Sequence, residues 1–307
     1  MPEGPEIRRA ADTLAEVLEG QLIKTVRFGL PRLRNKAKQL RGHRVKQVDT
    51  RGKALLTHFD HGLSIYSHNQ LYGVWKVVKG HKLPDTTRSL RLLLQTDSHS
   101  AILYSASDIS VWPTEELPEH PFLKKIGPDI MDRRLTWREI AERLREPRFA
   151  NRELAALYLD QAFLAGNGNY LRSEIIQDAR LDPHARPGEL TRGELGRLAR
   201  STLTISRRSY QTGGITLAPR LSQSLEKKGL TRKWRRFYVF GRTDYPCYHC
   251  GENILRTEVG SRRLYHCPNC QPEACCEFDT FPWPVRENGL CHLSRSPISL
   301  LLGCRGS

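Results

Sequence analysis

The sequence predicts an α+β, multidomain chain, and three observations carry that prediction. An amphipathic helix opens the chain, a series of short strand-like runs follows, and the second half is helical and ends in paired cysteines. At 307 residues the chain is long enough for a sizeable core and for more than one domain.

In the opening helix Ile7, Ala10, Ala11, Leu14, Ala15 and Leu18 recur at helical spacing, and Gly20 supplies a C-terminal stop. From Leu22 to about Trp112 the period shortens. Strands are expected at 22–28, 44–50, 54–59, 63–67, 74–78, 90–95 and 101–104, with turn residues between them, which suggests a sandwich or flattened barrel. Pro113, Pro118 and Pro121 mark a linker. Capping boxes at Thr136–Glu139 and Thr191–Glu194 start helices. Between them a glycine corner, Ala165-Gly-Asn-Gly-Asn-Tyr170, precedes a helix over 169–179. Such a corner is either a tight turn or a device that aims free helix N-terminal amides at a phosphate, and the basic charge favours the second. Residues 211–233 are polar with little periodicity and read as a long, mobile loop or a linker.

Lys and Arg number 49 against 33 Asp and Glu, a formal charge of +16 with a pI near 9.7. A chain this basic points to a polyanionic partner, most often nucleic acid. The cations Lys227, Lys228, Arg232, Lys233, Arg235, Arg236 and Arg242 cluster around Phe237, Tyr238 and Phe240, as on a phosphate-binding surface. No secretory hydrophobic region opens the chain and no apolar run approaches a membrane span, so a cytosolic location is expected. Disulfides are rare there, and the eight cysteines, all between Cys247 and Cys304, need another reading. Cys247-Tyr-His-Cys250 and Cys267-Pro-Asn-Cys270 are two C-x-x-C pairs sixteen residues apart. Four thiolates at that spacing point to one structural zinc ion, with iron as the competing metal. His249 and His266 beside them read as surface residues, and a closed four-thiolate site would hold Ser261-Arg262-Arg263 in place.

The N-terminus carries the chemistry. Methionine before Pro2 is normally trimmed, which would free a secondary amine able to form a cationic iminium with a sugar carbon. Glu3 and Glu6 share a helix face beside it and can divide acid and base roles if their environments separate their pKa values. The same residues also describe an ordinary helix start.

Together these features resemble the formamidopyrimidine-DNA glycosylase/endonuclease VIII family, most closely its bacterial endonuclease VIII branch, over nearly all of residues 1–271. The carriers are MPEGPEIRRAAD, RGKALLTHF, YSHNQLYGVW, LYSASDI, DQAFLAGNGNYLRSEI and SRRLYHCPNCQ. The resemblance implies an N-terminal helix plus β-sandwich catalytic domain over 1–118 and a helix–two-turns–helix DNA-binding domain with a lesion loop over 119–236. A β-hairpin zinc finger over 237–271 and a C-terminal extension over 272–307, read as disordered, complete the chain. It implies a bifunctional glycosylase and AP lyase that removes oxidised pyrimidines from double-stranded DNA and cuts by β,δ-elimination, acting as a monomer in the bacterial cytosol. Pro2 would form the Schiff base, Glu3 would act as the acid, and Glu6 would support them. Lys53 would face the sugar and its phosphate, Asn169 the DNA backbone, and Arg262 the flanking phosphate during the later elimination. Gln70, Leu71 and Tyr72 would fill the gap left by an everted nucleotide.

Departures from the family pattern are Asn167, where an apolar residue is usual, Lys125 in place of a DNA-touching arginine, and a longer 211–233 segment. The extension carries Cys275, Cys276, Cys291 and Cys304 without regular ligand spacing. Two alternatives stand: an oxidised-purine glycosylase of the same fold, and a non-catalytic DNA-damage-binding zinc protein. The Gln70-Leu71-Tyr72 wedge argues against the first, because the purine branch typically uses methionine, arginine and phenylalanine.

Overall fold

The computed structural model describes residues 2–273. Helix α1 (Gly4–Leu18) starts after Glu3 and stops at Glu19, with Gly20 in the left-handed region at φ +73°. Two four-stranded antiparallel sheets follow. Their strands are β1 (Thr25–Phe28), β2 (Val45–Arg51), β3 (Ala54–Phe59), β4 (Leu63–His68), β5 (Val74–Lys79), β6 (Leu90–Gln95), β7 (His99–Tyr104) and β8 (Asp108–Pro113). One sheet has the order β1-β6-β7-β5 and the other β2-β3-β4-β8.

The side-chain period of two explains how they stack. Leu92, Leu94, Ala101 and Leu103 of one sheet meet Val45, Val48, Leu55, Phe59 and Ile65 of the other in one core, which Ile7, Ala11, Leu14 and Leu18 of α1 close. The intervening Leu93 and Ile102 face the opposite side. This is the expected sandwich. The last strand, β8, was not among the expected runs; Pro113 reads as linker, yet it ends an edge strand, where a missing N–H costs no ladder bond. The stretch between β1 and β2 also holds a 3-10 turn over Pro31–Lys36 and a short α2 (Ala37–Leu40).

The helical part contains α3 (Trp137–Leu144), α4 (Pro147–Ala150), α5 (Leu154–Leu157), α6 (Asn169–Ala179), α7 (Arg192–Gln211) and α8 (Pro219–Lys227). Both capping boxes form, at Thr136 with Glu139 and at Thr191 with Glu194. Its core gathers Ile140, Leu157, Phe163, Leu171, Ile175 and Leu198. Helix α6 begins where the sequence places it, and it is buried nearly all round.

The reading of 211–233 as a structureless loop is corrected. It contains α8, and Leu217 and Leu225 are buried against Tyr238, Val239 and Ile254. Its single apolar stripe is short, so the period is hard to see beside so many charges. The chain ends, among the described residues, in a hairpin of β9 (Leu255–Val259) and β10 (Arg262–His266), as expected. The extension's four cysteines and the reading of disorder lie outside the described residues.

Candidate active site and nucleic-acid interface

Glu3 is the residue on which the parts converge. It caps the front of α1 but turns its carboxylate away from that helix. The backbone N–H of Tyr170 donates to its Oε1 at 2.9 Å and that of Leu171 to its Oε2 at 3.2 Å. Both amides belong to the first turn of α6, whose unsatisfied donors favour an anion. The expectation that this helix start offers free amides to a phosphate is therefore corrected for Tyr170 and Leu171, which hold a carboxylate of the protein itself. Gly168 makes the approach possible, because a Cβ there would enter the Glu3 carboxyl group. Burial pushes the Glu3 pKa up to about 7, and Lys53 and the two amides offset only part of that rise.

Glu6 lies one turn on. It accepts from the Glu3 backbone N–H at 3.1 Å and from the Tyr170 hydroxyl at 3.0 and 3.1 Å, and pairs with Arg9 at 3.3 Å. The Tyr170 hydroxyl also meets Ser209 Oγ at 2.9 Å. Pro2, half-buried, sits directly before Glu3.

Lys53 occupies the turn between β2 and β3. Gly52 beside it has φ +60° and packs so closely that a Cβ would lie 2.9 Å from that of Ala165. The buried Asp129 fixes this turn, accepting from Gly52 N–H at 2.7 Å and from Met131 N–H at 2.8 Å. Desolvation lowers the Lys53 pKa, with Glu3 raising it and Arg262 lowering it further, so these three charges share one field.

Arg262 opens β10 directly after the two-residue turn Gly260-Ser261, where both residues have positive φ. It is exposed at the hairpin tip, as its distance from Cys267 implies. Arg172, fully buried, links this hairpin to α6. It donates to the Arg263 carbonyl at 2.9 Å, to Asn169 Oδ1 at 2.6 Å and to the Ala155 carbonyl at 2.9 Å. Asn169 thus has its oxygen occupied and its amide nitrogen left to donate outward.

Leu71 and Tyr72, between β4 and β5, are the two most exposed large apolar side chains among the described residues, at 53% and 70%. Gln70, exposed beside them, is held at φ +53°. Its N–H donates to His68 Nδ1 at 3.1 Å, and its Oε1 accepts from the N–H and Oγ of Ser107. Lys125 is exposed on the segment leading into the helical part.

Not all of the basic cluster faces outward. Arg242 is buried and donates to the carbonyls of Tyr238 and Pro246. Arg232 and Arg236 donate to the carbonyls of Gly213 and Gly214, and Arg235 pairs with Glu226. Lys227, Lys228 and Lys233 remain exposed. The cluster therefore divides between holding this segment together and presenting charge. Arg236 also reaches to 3.9 Å from Glu6, which brings the segment to the Glu3 and Glu6 pair.

The four cysteines of the paired motifs come together. Sγ distances are 3.8 Å for Cys247–Cys270, 3.4 Å for Cys250–Cys267 and 3.5 Å for Cys250–Cys270. A disulfide needs about 2.05 Å. The edge of a sulfur tetrahedron around zinc, with bonds of about 2.3 Å, is about 3.8 Å. N–H groups of His249 and Cys270 point at the sulfurs of Cys247 and Cys267, as thiolates require.

Sequence reasoning missed Tyr170, Arg172, Asp129 and Glu174, and read Arg236 only as part of a phosphate-binding surface. Tyr170 and Arg172 lie inside the GNGNYLRSEI motif, which was the one signal available. Their importance comes from burial, which a local pattern does not report. Asn167, flagged as a departure, is fully buried, and neither side-chain polar atom has a partner among the described residues.

Comparison with known proteins agrees with this geometry. The profile of the formamidopyrimidine-DNA glycosylase N-terminal domain matches residues 1–107. Endonuclease 8 of Salmonella arizonae is 48% identical over 271 residues, covering 88% of this chain and all of that protein, and endonuclease 8 of Escherichia coli matches equally. Among solved structures, Lactococcus lactis formamidopyrimidine-DNA glycosylase bound to DNA containing an abasic site has the same fold. Its TM-score is 0.73 at 21% identity, over 88% of this chain and all of that one. The same enzyme bound to DNA with an oxidised pyrimidine gives 0.74 at 22% identity over 89% of this chain and all of that one. No helix among the described residues is long and apolar enough to cross a membrane. Helix, sandwich, helical part and four-cysteine hairpin, with the sequence match over 271 residues, place the chain in the formamidopyrimidine-DNA glycosylase/endonuclease 8 family of DNA glycosylases with AP lyase activity.

Proposed function

We propose that this DNA glycosylase and AP lyase removes oxidised pyrimidines from duplex DNA and cuts the strand by β,δ-elimination. The observation that carries the reading is a carboxyl group held near neutrality beside the N-terminal proline. With Met1 trimmed, the Pro2 nitrogen attacks C1′ of the damaged nucleotide. Glu3, protonated in part at physiological pH, gives its proton to the sugar ring oxygen as the C1′–O4′ bond breaks, and the proton released by the Pro2 amine leaves with the base. The resulting iminium draws electrons from the C1′–C2′ bond region and acidifies the C2′ proton. Loss of that proton expels the 3′ phosphate, and a second elimination expels the 5′ phosphate.

Lys53 places its ammonium beside the sugar, while Asn169 and Arg262 grip the flanking phosphates, Arg262 with a fork that stays charged throughout. Gln70, Leu71 and Tyr72 enter the space of the everted nucleotide, and Lys125 adds a backbone contact. The exposed, polar-footed wedge favours this branch over an oxidised-purine specificity. Cys247, Cys250, Cys267 and Cys270 fit one structural zinc ion, which would clamp the base of the Arg262 hairpin and leave no open position for chemistry.

The test is borohydride trapping on an abasic duplex, followed by a panel of single-lesion duplexes. Wild type should trap covalently, and Pro2→Gly or a blocked N-terminus should not. Trapping that survives either change would sink the Schiff-base assignment. Preference for oxidised purines across the panel would replace the pyrimidine assignment while leaving the chemistry intact.

A further inference from the structure

We propose that His43, Asp60 and His61 form a second metal site, for a divalent transition-metal ion of the zinc type, distinct from the four-cysteine cluster. The three side chains come from two segments at one end of the sandwich, the loop before β2 and the turn between β3 and β4. Their ligand atoms all lie within 4.8 Å of one another. Asp60 Oδ1 is 3.4 Å from His43 Nδ1 and 3.6 Å from His61 Nδ1. Hydrogen bonds between such groups run at about 2.7–3.2 Å. The edge between two ligands of a tetrahedral zinc site, with bonds of about 2.0–2.1 Å, is about 3.4 Å. Asp60 Oδ1 therefore lies between two imidazole nitrogens at separations that a common ion can bridge once one ring turns.

The backbone under the site is fixed without any ion. Asp60 N–H donates to the Arg44 carbonyl at 2.9 Å, Ile23 N–H donates to the His43 carbonyl at 2.9 Å, and Val45 pairs with Phe59 across β2 and β3. The nearest fixed cation in sequence, Arg44, is turned away and donates to the Gly20 carbonyl at 2.8 Å. Two neutral imidazoles and one carboxylate form a donor set of borderline softness, which selects zinc, nickel or copper over magnesium and calcium. All three side chains are partly exposed, so an ion can enter and water can complete its shell.

As they stand, the two rings are stacked, 3.6 Å between centroids at 20°. Binding needs one ring to turn about its side-chain bonds, a picosecond-to-nanosecond motion for exposed groups. The site is remote from the chemistry. Gly20 and Val45 join it to the C-terminal end of the 15-residue α1, and Glu3 caps the other end, about 22 Å away at 1.5 Å per residue.

The experiment uses the full-length chain, equilibrium dialysis against zinc chloride at low-micromolar free zinc, and metal analysis. Wild type should hold two zinc ions. The double variant His43→Gln/His61→Gln should hold one and should cut an abasic duplex at the wild-type rate, which shows that it is folded. Cys267→Ser should lose the other ion while binding at His43 and His61 persists. Saturation of wild type at one ion overturns the proposal, and so does a second ion that survives in the double variant. A metal-dependent broadening of the His43 and His61 imidazole resonances on adding copper in place of zinc is expected, and its absence would count equally against the site.

Discussion

Glu3 sets the pH behaviour. Its carboxyl titrates near 7 in the fold, against 4.5 for the free side chain. With Glu3 as the proposed acid, base excision should fall as pH rises through about 7, whereas cutting at a preformed abasic site should not follow that limb. Glu3→Gln should abolish excision and keep some lyase activity. Stability is linked to the same titration and falls in the same direction. The folded chain holds the Glu3 proton more tightly than the unfolded chain does. This contribution is fully present below about 4.5 and is lost as pH rises to about 7, a swing of roughly 3 kcal/mol. The unfolding free energy of wild type relative to Glu3→Gln, compared at pH 4 and pH 8, should shift toward the variant by about that amount. No shift would mean that Glu3 titrates normally. Asn167 gives a second prediction at the same scale. Its amide is buried without a partner, which costs about 1–3 kcal/mol. Asn167→Leu, branched at the same carbon, should stabilise the fold by that order in urea unfolding. A loss of stability instead would show that the amide holds an internal water.

At the scale of elements, the hairpin β9–β10 presents Arg262 while its cysteines stay at the base. Arg262→Ala should keep zinc and fold, and should reduce the second elimination more than the first. It should weaken binding by about 1.5–3 kcal/mol and flatten the salt dependence by about one unit of slope. The ratio of elimination products and a salt titration measure this. If Arg263→Ala has the effect and Arg262→Ala does not, the assignment is to the wrong arginine. The hairpin was legible because paired cysteines leave a spacing that survives without any knowledge of packing. The strands at 54–59 and 90–95 were legible because turn residues bound them. Helix α8 was not, since only Ser222 and Leu225 of its residues are buried and its polar face dominates the sequence. Strand β8 was hidden by a proline that is acceptable only at an edge. In the site, Pro2 and Glu3 could be read from a motif next to a terminus. Arg172 could not, because a charged residue at helix position four looks solvent-facing until the hairpin carbonyl that covers it is known.

At the scale of the whole described chain, binding needs α6, the 211–233 segment and the hairpin held in one register, and Glu174 is the joint that does this. It projects from α6 into a dry site. Its carboxylate accepts the N–H groups of Tyr238, Val239 and Phe240 at 2.8–2.9 Å and the hydroxyl of Thr216 at 2.5 Å. Burial raises its pKa while these donors oppose the rise. One residue therefore anchors both the 211–233 segment and the chain entering the cysteine hairpin to the helix that caps Glu3. Arg172, two residues earlier, adds the bond to the Arg263 carbonyl. Glu174→Ala would orphan several buried donors, each at a cost of about 1–3 kcal/mol. The more informative variant is Glu174→Gln, which keeps the shape and one acceptor oxygen but sets an NH2 group against backbone N–H. It should trap on an abasic duplex as wild type does, because Pro2 and Glu3 are untouched, yet its second elimination should fall because Arg262 is no longer fixed in register. Equal losses in both eliminations would place the joint's role in overall stability. Unchanged cutting would mean that the hairpin finds its register from the DNA alone.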